Sequence, residues 1–430
     1  MLVKKRPYIY RFFLLLGGKS MKFYDELKWR GLLKDEAGED LEKVINEKNA
    51  SFYWGTDPTA DSLHIGHYSS LVTAKRLAKA GFHPILLVGG ATGMIGDPRP
   101  TAEREIISKE TVLKNVESIK KQVEKIFDGN VEVVNNYDWY KDMNILDFLR
   151  ETGKYINVNY MLNKDIINRR LETGITFAEF TYTLLQGNDF VHLYQEKNCI
   201  MQAAGSDQWG NITTGIELIN KKLGKKAYAF TMPLILDSTG KKFGKSEGNA
   251  LWLDINKTSS YEIYQYLINS ADEKVEEYLK VFTFLTKEEI EKVMNEHKEC
   301  PERRIAQKTL AKEIITDLHG KEEYEKALKI TEALFSGNIK DLTESELKDA
   351  LSGVQKETIN EEVNIVDMLV NTNILSSKRE AREFLTNGSI SINGERVTDL
   401  NMLVNKEKAL YNKYIVVRRG KKKYYLVIFE

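Results

Sequence analysis

From Ser51 to about Leu253 short apolar runs alternate with stretches long enough for a helix: Phe52 to Trp54, Ile85 to Val88, Val131 to Val134, Ile200 to Ala203 and Leu234 to Leu236. Strands separated by helical patterns predict an α/β domain with a mostly parallel, doubly wound sheet. From Thr258 to Gly337 strand patterns disappear, and segments such as Lys308 to Leu318 and Glu323 to Phe335 carry apolar residues at helical spacing, which predicts a helical domain. Asp341 to Glu362 is acidic and weakly periodic, with Ser352-Gly353 at its middle, and reads as a linker carrying one short helix. A third unit, small and α+β, starts near Val363. The expected boundaries are 21–257, 258–340, 341–362 and 363–430.

Composition narrows the class. At 430 residues the chain exceeds what one core usually supports, and 42% hydrophobic with 29% charged residues is ordinary for a globular protein. Lys plus Arg (63) equals Asp plus Glu (63), so contact with nucleic acid requires a local basic patch. Only Cys199 and Cys300 occur, outside any C-x-x-C or Cys/His cluster, which speaks against a disulfide framework or structural zinc and for a reducing, cytoplasmic setting. Residues 1–20 imitate a signal peptide, with Lys4, Lys5 and Arg6 before an apolar run, but no A-x-A-like cleavage site follows. They are expected to be a non-native or mis-assigned extension ahead of Met21. No stretch reaches the ~20 apolar residues of a membrane span.

The richest stretch is Tyr53-Trp54-Gly55-Thr56-Asp57-Pro58-Thr59-Ala60-Asp61-Ser62-Leu63-His64-Ile65-Gly66-His67. A strand ends, a turn-rich loop follows, Asp61 or Ser62 can cap, and Tyr68, Leu71 and Val72 begin a helix stopped at Gly81. His64 and His67 then sit in a first helical turn, where unpaired N–H groups and the helix dipole favour phosphate, and Gly66 leaves room for a planar base. Two surface histidines beside a cap is the other reading of a bare H-x-G-H. With its flanks, however, the stretch resembles the signature of class I aminoacyl-tRNA synthetases, specifically the tyrosyl-tRNA synthetase family.

The resemblance extends along the chain. Lys242-Phe243-Gly244-Lys245-Ser246 is similar to the family's second signature, a mobile loop carrying charges for phosphate. In Gly89 to Pro98 the resemblance assigns Asp97 to the substrate ammonium; a tight glycine loop with a capping aspartate is the alternative. Arg99 to Arg104 departs from the commoner family form, leaving phosphate contacts there open. Independently of any family, Tyr182, Gln186 and Asp189 fall at i, i+4 and i+7 on an otherwise apolar helix opened by a Thr176/Glu179 capping box. Such a line is either a solvent stripe or a set of groups awaiting partners. By resemblance Tyr182 and Gln186 join Asp97 at the amino group, while Asp189 and Tyr53 face a phenolic hydroxyl. Gln202, Gly205, Asp207 and Gln208 match a further signature, with Asp207 expected on the ATP ribose and Gln208 near the reacting carboxylate. Asn136 matches a position bordering the tyrosine pocket, and core packing around Trp139 would explain it equally well.

The implied reaction joins tyrosine to ATP as an adenylate and then to tRNA. A carboxylate nucleophile is already ionised, so catalysis reduces to positioning and to stabilising charge on phosphate. Thr59, His64, His67, Lys242, Lys245 and Ser246 are the candidate catalytic donors. Gly55, Asp57, His64, Gly66, His67, Gly205, Asp207 and Lys245 form the expected ATP site, with Mg2+ arriving on the nucleotide and no dedicated metal site in the protein. In the terminal unit Lys378, Arg379 and Arg382 share a helix face, and Arg418 and Arg419 lie in a basic stretch, an arrangement similar to a small RNA-binding domain and also compatible with a merely solubilising surface. The family implies a Rossmann-like catalytic domain, an anticodon-binding helical domain, this RNA-binding module and a homodimer away from the membrane. Tryptophanyl-tRNA synthetase, or an RNA-binding protein that kept the scaffold without its activity, are the competing readings.

Overall fold

In the computed structural model, residues 21–98, 107–246, 249–420 and 423–430 are described. The expected N-terminal extension and the 99–104 loop lie outside them. The chain divides into two compact units, one running to Leu236 and including Lys280–Phe284, the other comprising Asp237–Leu279 and Leu285–Glu430.

The first unit is built on a six-stranded sheet: β1 (Glu36–Ala37), β2 (Ser51–Thr56), β3 (His83–Val88), β4 (Glu132–Asn135), β5 (Cys199–Gly205) and β6 (Tyr228–Met232), in the order β1-β6-β5-β2-β3-β4. All pairs are parallel except β1 with β6 at the edge. From β2 the chain winds outward through β3 and β4, and from β5 it winds the other way to β6. The carboxyl ends of β2 and β5 therefore flank the switch point at which such sheets bind ligands. Phe52, Leu86, Val88, Met201 and Phe230 are all buried, as expected of strands covered on both faces.

One expected strand is misplaced. Leu234 to Leu236 is not a strand; the last sheet strand is Tyr228–Met232, with Ala229 and Phe230 fully buried while Leu234 and Leu236 are exposed. The apolar pair at Leu234 and Leu236 imitated alternation, but Pro233 between strand and pair cannot donate to a ladder.

In the second unit, helices at Ser260–Ile268, Lys287–Glu299, Ile305–Leu318 and Lys321–Ser336, and the Asp272–Phe282 helix as far as Leu279, precede a five-stranded sheet. Its order is Glu395–Arg396, Ile390–Ile392, Tyr414–Arg419, Lys423–Phe429, Gln355–Ile359. The expected linker is thus largely structure. Glu344–Ala350 is helical, Leu342, Leu347 and Leu351 are buried, and Gln355–Ile359 pairs in parallel with Lys423–Phe429. Buried leucines under a polar surface, rather than overall acidity, decide that segment. The fold class is the expected one, a Rossmann-like α/β domain with a helical domain and a small α+β domain.

Candidate active site

The sheet's switch point brings Tyr53 on β2 and Gln202 on β5 directly opposite each other, both almost fully buried. The Tyr53 hydroxyl makes no hydrogen bond of normal geometry within the protein, although the Gln202 amide opposite lies close enough to pull its pKa down against burial. Burial, and secondarily the charge of Asp189, push its pKa well above the usual phenol value, so it remains a neutral donor and acceptor.

Asp189 projects from the Phe177–Lys197 helix and is 1% exposed. Its Oδ1 accepts the Trp139 indole N–H at 2.9 Å and its Oδ2 accepts the Asn136 amide at 3.1 Å. Burial raises its pKa to about 7, although Asn136, Trp139 and Tyr140 pull the other way as donors. A carboxylate can accept about four hydrogen bonds, so a phenol hydroxyl can still be added.

Asn136 is the hub of a longer relay. Its Oδ1 accepts the Ala91 N–H at 2.7 Å, and its Nδ2 also reaches Thr92 Oγ1 at 3.0 Å. Thr92 Oγ1 donates to Asp57 Oδ1 at 2.8 Å, and the Tyr182 hydroxyl donates to Asp57 Oδ2 at 3.0 Å. A side chain at Gly89 would collide with both Thr92 Oγ1 and Asp57 Oδ1. Gly89, just after β3, therefore clears a path for this network. Tyr182, assigned with Asp97 to the ammonium, donates to Asp57 just after the end of β2.

Asp97 is held by a separate pair of amides, Gln208 Nε2 at 3.0 Å and Asn211 Nδ2 at 3.1 Å. Gln186 lies half-buried on the same helix as Tyr182 and Asp189, while Asp207 and Thr59 are exposed.

The signature histidines cap their own helix. His64, not Asp61 or Ser62, is the N-cap of the Ile65–Ala80 helix: its Nδ1 accepts the Gly66 N–H at 3.1 Å, and His67 Nδ1 accepts the His64 N–H at 3.3 Å. Ser62 is occupied elsewhere, donating to the Leu63 carbonyl and accepting from Gln122. Two accepting Nδ1 atoms place both ring protons on Nε2. The rings stack with centroids 3.8 Å apart. At Thr176 the cap is present, with Oγ1 accepting the Glu179 N–H at 3.3 Å, and the buried Glu179 carboxylate pairs with Arg170 at 3.0 Å.

The Lys242–Ser246 segment, expected in the α/β domain, belongs to the second unit. Phe243 packs against Tyr266 and Tyr278, and the Gly244 N–H bonds to the Tyr266 hydroxyl at 2.8 Å. Also in that unit, Lys378, Arg379 and Arg382 are exposed on the Lys378–Thr386 helix, with Lys378 2.5 Å from Asp367. Arg418 and Arg419 are half-buried, and Arg419 donates to the Ile374 carbonyl at 2.8 Å beside Phe384 and Tyr425.

Residues missed from sequence are Thr92, Thr183 and Asn211. All three are buried polar side chains, and Asn211 shares a helix face with buried Thr214, Gly215 and Leu218 at i+3, i+4 and i+7. A lone asparagine on an apolar face is the signal that could have found it.

The chain is 49% identical over 418 residues to the tyrosine–tRNA ligase of Streptococcus pyogenes serotype M18 (strain MGAS8232), covering 95% of this chain and 100% of that protein. It belongs to the tyrosyl-tRNA synthetase family. Residues 45–336 match the family model for class I tRNA synthetases (W and Y), and residues 346–427 match that for the tyrosine–tRNA ligase SYY-like C-terminal domain. The tyrosine–tRNA ligase of Streptococcus agalactiae serotype V (strain ATCC BAA-611 / 2603 V/R) is 48% identical over 419 residues, 95% of this chain and 100% of that one. The solved C-terminally truncated mitochondrial tyrosyl-tRNA synthetase of Aspergillus nidulans is similar with a TM-score of 0.66 and 34% identity, over 74% of this chain and 95% of that one. A tryptophanyl-tRNA synthetase from Encephalitozoon cuniculi shares only the fold with this member of the tyrosyl-tRNA synthetase family, at 15% identity and a TM-score of 0.52, over 76% of this chain and 90% of that one.

Proposed function

We propose that the first unit holds tyrosine with its phenol between Tyr53 and Asp189 and its ammonium at Asp97, Tyr182 and Gln186. The chain is a tyrosine–tRNA ligase, activating tyrosine with ATP and transferring the tyrosyl group to tRNA(Tyr). The observation that carries the substrate assignment is the buried Tyr53 hydroxyl, which makes no hydrogen bond of normal geometry within the protein, beside a carboxylate with acceptor capacity to spare. A phenol can donate to Asp189 and accept from Tyr53, and an indole or phenyl ring cannot do both.

In the first step the tyrosine carboxylate attacks the α-phosphate and the bond to pyrophosphate breaks. The Nε2–H groups of His64 and His67, at the positive end of their helix, are suited to the charge that grows on the phosphate oxygens, with Thr59, Lys242, Lys245 and Ser246 as further donors. Gly55, Gly66, Gly205, Asp57 and Asp207 are assigned to the nucleotide, Gln202 and Gln208 to the amino-acid side. In the second step the terminal ribose hydroxyl of tRNA attacks the tyrosyl carbonyl and AMP leaves. Mg2+ enters as part of the MgATP substrate. The anticodon would be read by the helical domain, with Lys378, Arg379, Arg382, Arg418 and Arg419 contacting RNA phosphates.

A homodimer is part of this reading. Ile145, Leu146, Val158 and Phe177, on short helices of the first unit and at the start of the Phe177–Lys197 helix, are 61% to 75% exposed, an apolar surface suited to a second copy. A cytoplasmic location is supported by two unpaired cysteines, one of them buried. Among the described residues no helix is long and apolar enough to cross a membrane. Tyrosine-dependent ATP–pyrophosphate exchange tests the function: exchange with tyrosine and none with tryptophan is expected, and exchange with neither would overturn it.

A further inference from the structure

Asn211 stands in the first turn of the Trp209–Leu223 helix and is 4% exposed. Every polar atom of its side chain is used. Nδ2 donates to Asp97 Oδ1 at 3.1 Å and to Gln208 Oε1 at 3.1 Å, and Oδ1 accepts the hydroxyl of fully buried Thr183 at 2.8 Å. Gln208 Nε2 closes a triangle by donating to Asp97 Oδ2 at 3.0 Å.

We propose that Asn211 is a positioning residue that locks Asp97 and Gln208 to each other, and so sets the spacing at which the ammonium and carboxylate ends of the amino acid are held. The inference rests on the assignment of Asp97 to the ammonium. Three features of the triangle carry it. Each Asp97 oxygen receives its own amide donor, which fixes the carboxylate plane. Because Gln208 Oε1 is taken by Asn211, the Gln208 amide can present only its N–H side to Asp97; flipped, it would set two acceptors against each other. Asn211 is itself oriented by Thr183, the residue after Tyr182, so the anchor comes from the helix that also carries Tyr182 and Asp189.

Close helix packing makes this anchor short. An added Cβ at Gly187 would lie 2.9 Å from Leu218 Cδ1, and one at Gly215 would lie 3.0 Å from Phe190 Cδ1. Both glycines let the two helices approach one turn beyond the Thr183–Asn211 bond. Misplacement of reacting groups by an ångström is costly in rate, so a group that spaces both ends of the substrate acts on kcat as well as on affinity.

The test uses the full-length protein and two probes: tyramine, which carries the phenol and the ammonium, and 4-ethylphenol, which carries the phenol alone. For Asn211→Ala and Asn211→Asp, tyramine affinity is expected to fall about tenfold, the loss of one hydrogen bond to a charged group, while 4-ethylphenol binding stays within about twofold. Asn211→Asp keeps the shape and the Thr183 bond but replaces the donor by an acceptor, so it separates donation from packing. Thr183→Val, which removes only the anchor, is expected to act in the same direction by roughly two- to fivefold. Equal losses for both probes would mean a merely structural role, and unchanged tyramine binding would mean none; either overturns the proposal. If Asp97→Ala itself leaves tyramine binding unchanged, the assignment of Asp97 is what fails.

Discussion

Tyr182 and Asp189 stand two turns apart on one helix and are joined through a continuous chain of side-chain hydrogen bonds, Tyr182 to Asp57 to Thr92 to Asn136 to Asp189. The chain leaves the helix, crosses the segments after β2, β3 and β4, and returns. Groups assigned to opposite ends of the amino acid are therefore set by one network, and Thr92 is its narrowest link.

Thr92→Val should break that link at nearly constant volume. It leaves an acceptor on Asp57 and a donor on Asn136 without their buried partner, a cost of about 1–3 kcal/mol in stability. Thr92→Ser should restore most of the loss. Urea unfolding of the three proteins checks this, and a neutral Thr92→Val would show that the relay carries no weight.

Asp189 makes stability depend on pH. Its pKa, raised by burial from 3.8 to about 7, means that between these values the folded chain keeps a proton that the unfolded chain has released. Protons bound to the folded state stabilise it, so this contribution is full below about pH 4 and is lost as pH rises towards 7. Asp189→Asn removes the group. Its unfolding midpoint should gain on the parent's between pH 5 and pH 8; a constant difference would contradict the buried-carboxylate account.

The two functions of His64 can be separated. Asparagine is a good N-cap, so His64→Asn should hold helix stability within about 0.5 kcal/mol, whereas His64→Ala should cost about 1 kcal/mol more. Both lose the Nε2–H, and both should slow adenylate formation by roughly ten- to a hundredfold in single-turnover experiments, as loss of one charge-stabilising donor does. Full activity in His64→Asn would reduce the histidine to a cap.

Deleting Val363–Glu430 is not a clean removal of a module. Leu334, Ile339, Leu342, Leu347 and Leu351 pack with Tyr414, Val416 and Leu426, and the Tyr424 hydroxyl donates to the Leu334 carbonyl at 2.7 Å. The truncated chain should lose tRNA charging and also unfold at lower urea, with the Gln355–Ile359 strand left without its pairing partner. An unchanged midpoint would contradict this packing.

Much of the fold was legible because period and punctuation agree: four of the sheet strands sit where short apolar runs lie between helical patterns, and Gly81 ends its helix as expected. Leu234 to Leu236 failed because a short apolar run carries no information about burial. His64 was read as a ligand and not as a cap because histidine rarely caps; only the geometry of Nδ1 reveals it. The line Tyr182, Gln186, Asp189 was visible from periodicity alone, but the partners of its members come from the loop after β2 and from the segment after β4, and spacing along one helix says nothing about them. Of the 341–362 segment the short helix was legible, but the Gln355–Ile359 strand and the burial of Leu342, Leu347 and Leu351 were not, because composition outweighed three leucines spaced to be buried.

The central claim is that Tyr53 and Asp189 recognise a phenol. Tyr53→Phe tests it most directly, since its hydroxyl makes no protein hydrogen bond of normal geometry to lose and the ring remains in place. The measurement is the ratio of kcat/KM for tyrosine to that for phenylalanine in ATP–pyrophosphate exchange, because a folding defect lowers both values together. The account predicts a ratio roughly tenfold smaller than the parent's, the loss of about one buried hydrogen bond to the substrate. An unchanged ratio would contradict it.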